Sequence, residues 1–139
     1  MKYNIKTTID IKDMSGDNML LKKYPFLNLI RQYQYNNHLC FNYALNIEGE
    51  FSCTEAFEIV KENYIQIPLK VAREGDLIVY HDDDGINEYV EHFAIIKEIK
   101  GTLKSIIITS KWGRNGIYEG NIFDVPNIYG NKITIWRKI

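Results

Sequence analysis

An α+β fold, with N-terminal helices packed on a mostly antiparallel sheet, is predicted by three observations. Apolar residues recur at helical spacing in the first half of the chain, and short β-branched runs fill the second half. The links between those runs are too short for crossover helices, so neighbouring strands should run antiparallel.

The elements follow in chain order. Residues 24–35, YPFLNLIRQYQY, carry Pro25 near a helix start and place Phe26, Leu29, Ile30 and Tyr33 on one face, which predicts a helix. Asn36 and Asn37 suit a turn, and CFNYAL, beginning at Cys40, reads as a short second helix. Ser52 and Glu55 form a capping-box pattern ahead of AFEIVKEN, so a third helix should start there and end near Asn63. Strands are then expected at DLIVY (76–80), HFAIIKEI (92–99), KSIIITS (104–110) and KITIWRK (132–138), with Gly101 centring the link between the second and third.

A chain of 139 residues with 45% hydrophobic and 13% aromatic content can bury a core, and no internal repeat or linker divides it. One domain over 1–139 is expected, with 1–35 as an N-terminal extension and helix and 36–139 as the core. Seventeen basic residues against eighteen acidic leave a net charge of -1 without a basic cluster, which argues against nucleic acid as a partner. The first twenty residues hold acids and amides where a signal peptide needs an apolar run, and no stretch has the composition of a membrane span. The expectation is a chain made in the cytoplasm, with any export by another route and with no membrane partner.

The chemistry centres on Cys40 and His92. A thiol with a pKa near 8.5 is mostly protonated at neutral pH, and a helix start together with a nearby imidazolium makes a nucleophile of it. Cys40 opens CFNYAL, and His92 opens a strand. A base needs an orienter: with the hairpin centred on Gly101, Ser110 lies opposite His92, and Glu119 is a second candidate from the following loop. Cys53 is the second cysteine, at the first position after the Ser52 cap, with Glu55 opposing ionisation of its thiol. Without a secretory mark, free thiols are expected in place of a disulfide. His81 reads as a loop residue beside three aspartates. YHDDDGINEYVE partly fits a calcium loop, but the flanking strands favour a solvated hairpin, and no zinc-ligand spacing appears. No metal and no organic cofactor are implied.

CFNYAL, EGDLIVY, EHFAII, SKWGRNGIYEG and YGNKITIWRK, in that order from about Asn36 to the C-terminus, resemble the NlpC/P60 layout of the papain-like cysteine hydrolases. They are similar in particular to compact bacterial domains, some found in polymorphic toxins, that share a C-x-x-Y-A/T-L/F helix start, GD[LI]VVY, a strand-borne His and SKWG. The resemblance implies a cysteine-dependent amide hydrolase, a peptidase, amidase or deamidase, acting on a peptide or protein substrate through Cys40 and His92. It further implies an oxyanion hole of the Cys40 N–H with Gln34, for which Asn37 competes, and a pocket wall including Trp112 and Tyr43. Those relatives carry Asn directly before the Cys and His two residues after the Tyr of the last loop, where this chain has Leu39 and Gly120. A catalytically degenerate papain-like binding module, an inhibitor or a toxin-associated partner therefore stands as the alternative.

Overall fold

The computed structural model describes residues 9–10, 16–31, 39–102 and 105–139. Its elements are α1 (Asp17–Lys23), β1 (Asn28–Arg31), α2 (Cys40–Leu45), α3 (Cys53–Asn63), β2 (Tyr64–Ile67), β3 (Leu77–Asp83), β4 (Glu88–Ile99), β5 (Ile106–Lys111), β6 (Ile117–Asn121) and β7 (Lys132–Lys138). The seven strands form one sheet in the order β1-β6-β5-β4-β3-β7-β2, with antiparallel neighbours throughout. The chain is thus α+β with an antiparallel sheet.

The sheet separates two apolar layers, and strand alternation assigns each side chain to one of them. On β3, Ile78 and Tyr80 join Ile9, Leu20, Ala94, Ile96, Ile106, Ile108, Trp112 and Tyr129 on one face. Leu77 and Val79 join Phe93, Trp136 and the inner sides of α2 and α3 on the other. The same alternation runs through β7, where Ile133 and Ile135 face the first layer and Trp136 the second.

α3 begins as its sequence predicts: the Ser52 hydroxyl accepts from the Glu55 N–H at 3.0 Å, and the Glu55 carboxylate accepts from the Ser52 N–H at 3.0 Å. The expected helix over 24–35 is not formed in its described part. Residues 28–31 pair as an edge strand with β6, and the helix lies earlier, at Asp17–Lys23. Leu27 and Leu29 pack on the core at a spacing of two, while Phe26 and Ile30 are 54% and 50% exposed, so the strand period prevails over the helical one. The short strands β2 and β6 were not expected from the sequence.

The link after β4 is also displaced. Ile99 pairs with Ile106 and Ile95 with Thr109, with a bulge between Ile96 and Glu98, so Gly101 does not centre the hairpin. β3 and β4 join through a hairpin tip in which Asp84 Oδ1 accepts from Ile86 N and Asn87 N, an Asx turn of the kind expected for a solvated loop. The motif aspartate before β3, Asp76, is buried and pairs with Arg137 of β7, whose Nε and Nη2 lie 2.8 and 2.7 Å from its carboxylate oxygens.

Candidate functional site

Cys40 is the first residue of α2 and only 7% exposed. The buried Asn42 fastens this short helix at both ends. Its Oδ1 accepts from the Leu39 N–H at 2.8 Å, and its Nδ2 donates to the carbonyls of Ile47 and Gly49 at 2.9 and 3.1 Å. The Cys40 sulfur is thereby held over β4, where the Phe93 N–H points at it. Cys53, the first residue of α3, lies on the same strand, with its sulfur 4.0 Å from the Glu91 carbonyl oxygen.

The two cysteines pack in one cluster on this face of β4, and both are free. Their ionisation is split in opposite directions. Contact with Cys53, and then burial, push the Cys40 thiol well above the ordinary range. Contact with Cys40 pulls Cys53 down, against burial and the Glu91 charge. Burial at 7% exposure thus works against ionisation of Cys40, the thiol expected to be activated, while Cys53 is the more exposed of the two.

The expected thiol–imidazole pair is not formed. His92 pairs directly across from Tyr80, and directly opposed residues share a face. Its ring stacks on Tyr129, with centroids 3.9 Å apart and planes 6° from parallel, and lies 5.6 Å from the Tyr80 ring. Phe93, one residue on, points to the face on which Cys40 packs. Both ring nitrogens of His92 are buried without a hydrogen-bond partner, so neither reaches the Cys40 sulfur. Burial lowers its pKa from 6.5 to about 3 and keeps the imidazole neutral.

The other residues expected at the site are dispersed. Ser110 is buried and accepts from the Trp112 indole N–H at 3.0 Å; the β4–β5 register, carried one step past Thr109, sets it opposite Ala94 and not His92. Glu119 is bound by Lys97 and by Asn28 Nδ2 across β6 and β1, away from the imidazole. Trp112 is a core residue stacked on Tyr118 at 4.4 Å, and Tyr43 spends its hydroxyl on Thr109 Oγ1 at 2.9 Å. Gln34 and Asn37, with the oxyanion hole they would complete, lie outside the described residues.

A cleft of about 490 Å³ opens on the α3 face, lined among others by Phe57, His81, Glu88, Tyr89, Lys132 and Trp136. His81 belongs to β3 and is buried, in place of the loop position expected for it. Its Nε2 lies 2.7 Å from Thr134 Oγ1, which also accepts from the Trp136 indole N–H at 2.8 Å. Thr134 Oγ1 thus bridges the indole and the imidazole. Nδ1 faces the Glu88 carboxylate at 3.0 Å, out of line for a hydrogen bond, and Lys132 Nζ holds the same oxygen at 2.8 Å. Burial lowers the His81 pKa to about 4, so the group is neutral at physiological pH. The Phe57 ring meets both His81 and Trp136 edge to face, at 5.4 and 5.5 Å, giving the cleft an aromatic wall beside a polar rim. Continuation of the GDLIVY alternation by one step, from Leu77 and Val79 to His81, is the signal that places this histidine on the α3 face.

Among the described residues no group of three or more His, Cys, Asp or Glu side chains could hold a metal ion, and no helix is long and apolar enough to cross a membrane. No family model, curated protein or solved structure matches the chain.

Proposed function

We propose that this chain is a binding module on a papain-like scaffold of the NlpC/P60 type, without amide hydrolase activity of its own. One observation carries this reading: the His92 ring is committed to the Tyr80 and Tyr129 face, while the Cys40 thiol meets a second thiol and no base. A thiol held protonated, with no imidazole in reach, is a poor nucleophile toward an amide carbonyl. The recognition surface is the α3-face cleft, where Phe57 and Trp136 offer an apolar seat and Glu88 and Lys132 a charged rim, a chemistry suited to a peptide or protein segment.

Alkylation of Cys40 by iodoacetamide across pH tests the reading. A midpoint at or above the ordinary value near 8.5, unmoved by His92→Ala, is expected. A midpoint well below 8 that rises when His92 is replaced would overturn it in favour of the hydrolase.

That second reading, a cysteine-dependent peptidase or amidase, keeps one observation in its favour. A structural histidine this buried ordinarily bonds at least one ring nitrogen, and His92 bonds neither. Its use as a base requires β4 to change register so that the ring leaves Tyr129 for the Cys40 side of the sheet.

A further inference from the structure

We propose that Cys53 and Cys40 are a thiol–disulfide exchange pair, Cys53 attacking and Cys40 resolving, with a low-molecular-weight disulfide as the oxidising partner. The proposal shares with the binding-module reading the neighbouring placement of the two thiols but uses neither the cleft nor His92, so bridge formation and the His92-dependent alkylation test fail separately.

The placement of the sulfurs carries it. Each cysteine is the first residue of its helix, and both helices start over the same stretch of β4. The Cys53 sulfur sits at the Glu91 carbonyl and the Cys40 sulfur at the Phe93 N–H, one strand repeat further along. Both side chains pack in one cluster on this face of β4, so a bond between them would join neighbours held at two helix starts over the same strand.

The two positions also divide the labour that exchange requires. Cys53 is partly exposed, at the capped start of an eleven-residue helix whose unpaired N–H groups favour a thiolate. Cys40 is buried and protonated, accessible to its neighbour but not to solvent. The shifts in acidity described above run the same way: the exposed thiol is the more acidic one. An attacking thiol with a lowered pKa is present as thiolate at neutral pH, and a buried partner is shielded from competing reagents.

The Cys53 thiolate attacks one sulfur of the small disulfide RSSR; its S–S bond breaks, a Cys53–SR bond forms, and RS⁻ leaves to take a proton. Cys40 then loses its proton and attacks the Cys53 sulfur, which expels the second RS⁻. Two protein thiols are oxidised by two electrons, and one RSSR is reduced to two RSH. The bridge ties the start of α2 to the start of α3, next to the cleft residues Thr54 and Phe57.

Exposure of the reduced full-length protein to oxidised glutathione at neutral pH, followed by acid quench and peptide mass mapping, tests this. The expected product is a chain lighter by two hydrogens, with the Cys40 and Cys53 peptides joined, and restored by dithiothreitol. Cys40→Ser should stop at a glutathione adduct on Cys53, formed at least about tenfold faster than any adduct on Cys40 in Cys53→Ser. Either of two results on the wild-type chain alone overturns the proposal, whether or not a variant folds. One is an end product carrying glutathione on both cysteines with no bridge. The other is a native protein that forms the bridge no faster than the urea-unfolded chain does.

Discussion

Tyr80 and His92 stand directly opposite each other on β3 and β4, and this pairing turns the imidazole toward Tyr129 and away from the side chain of Phe93. Everything expected of His92 as a base depended on the other face. Between the two faces lies the sheet itself, whose backbone groups are engaged in its ladders, so the choice of face is enforced by every pair on either side. Val79 opposite Phe93 and Ile78 opposite Ala94 fix the same register. A one-residue slip would exchange the side chains of β4 between the two layers and mismatch both.

Acid should unfold this protein through its buried histidines. Burial depresses His81 to about 4 and His92 to about 3, whereas both titrate near 6.5 in the unfolded chain. Between those values the unfolded chain binds protons that the folded one does not. Stability is therefore full above about pH 6.5 and is lost as pH falls through that window, by up to about 1.4 kcal/mol per pH unit for each histidine. Urea midpoints at pH 7, 6 and 5 measure it. His92→Phe, which keeps a ring on Tyr129, should cut the slope by about half, and an unchanged slope would mean that the folded His92 is protonated.

Asp76, the aspartate of the GDLIVY motif, should prove structural. Its carboxylate holds the Arg137 guanidinium and accepts from the Arg73 N–H at 2.8 Å. Asp76→Ala leaves those donors without their acceptor beside a buried site, at a cost of about 2–3 kcal/mol. Chemical denaturation of the variant is the measurement, and a loss under about 0.5 kcal/mol would show that solvent replaces the carboxylate freely.

Gly130 should tolerate no side chain. Its φ of 102° lies in the region that disfavours L residues, and a Cβ there would stand 2.1 Å from the His81 carbonyl oxygen. Backbone has to move to admit even alanine, so Gly130→Ala is expected to destabilise by more than about 2 kcal/mol. It should also perturb the His81 signals in an NMR spectrum, since Asn131 N donates to that same carbonyl at 2.9 Å.

Ser52→Ala removes the hydroxyl that caps α3 and leaves the Glu55 N–H without its partner. A loss of about 1 kcal/mol follows. Ser52→Asp, which retains an acceptor, should recover most of it in the same thermal melt. Failure of aspartate to rescue would mean that the serine acts through packing.

Local signals in the sequence determined a good part of this protein. The Ser52 and Glu55 box, the α2 stretch from Cys40 to Leu45, and the strands around Leu77, Phe93, Ile108 and Ile135 all follow from capping, periodicity and β-branched runs, which are properties of neighbouring residues. The α+β class follows from their order. Long-range pairing decided the rest. Residues 28–31 became a strand because β6 offers an edge to them, although their apolar spacing suits a helix equally well. The wider link after β4, which pairs Ile99 with Ile106, displaced Ser110 from the position opposite His92, and the bulge between Ile96 and Glu98 took up only one residue of that displacement. The site was decided the same way: a sequence shows that Cys40, Cys53, His81 and His92 exist, but not which side of a sheet each occupies. That is fixed by register, where a shift of one residue exchanges the faces, and here it placed the two thiols together over β4 and sent His92 to the opposite layer.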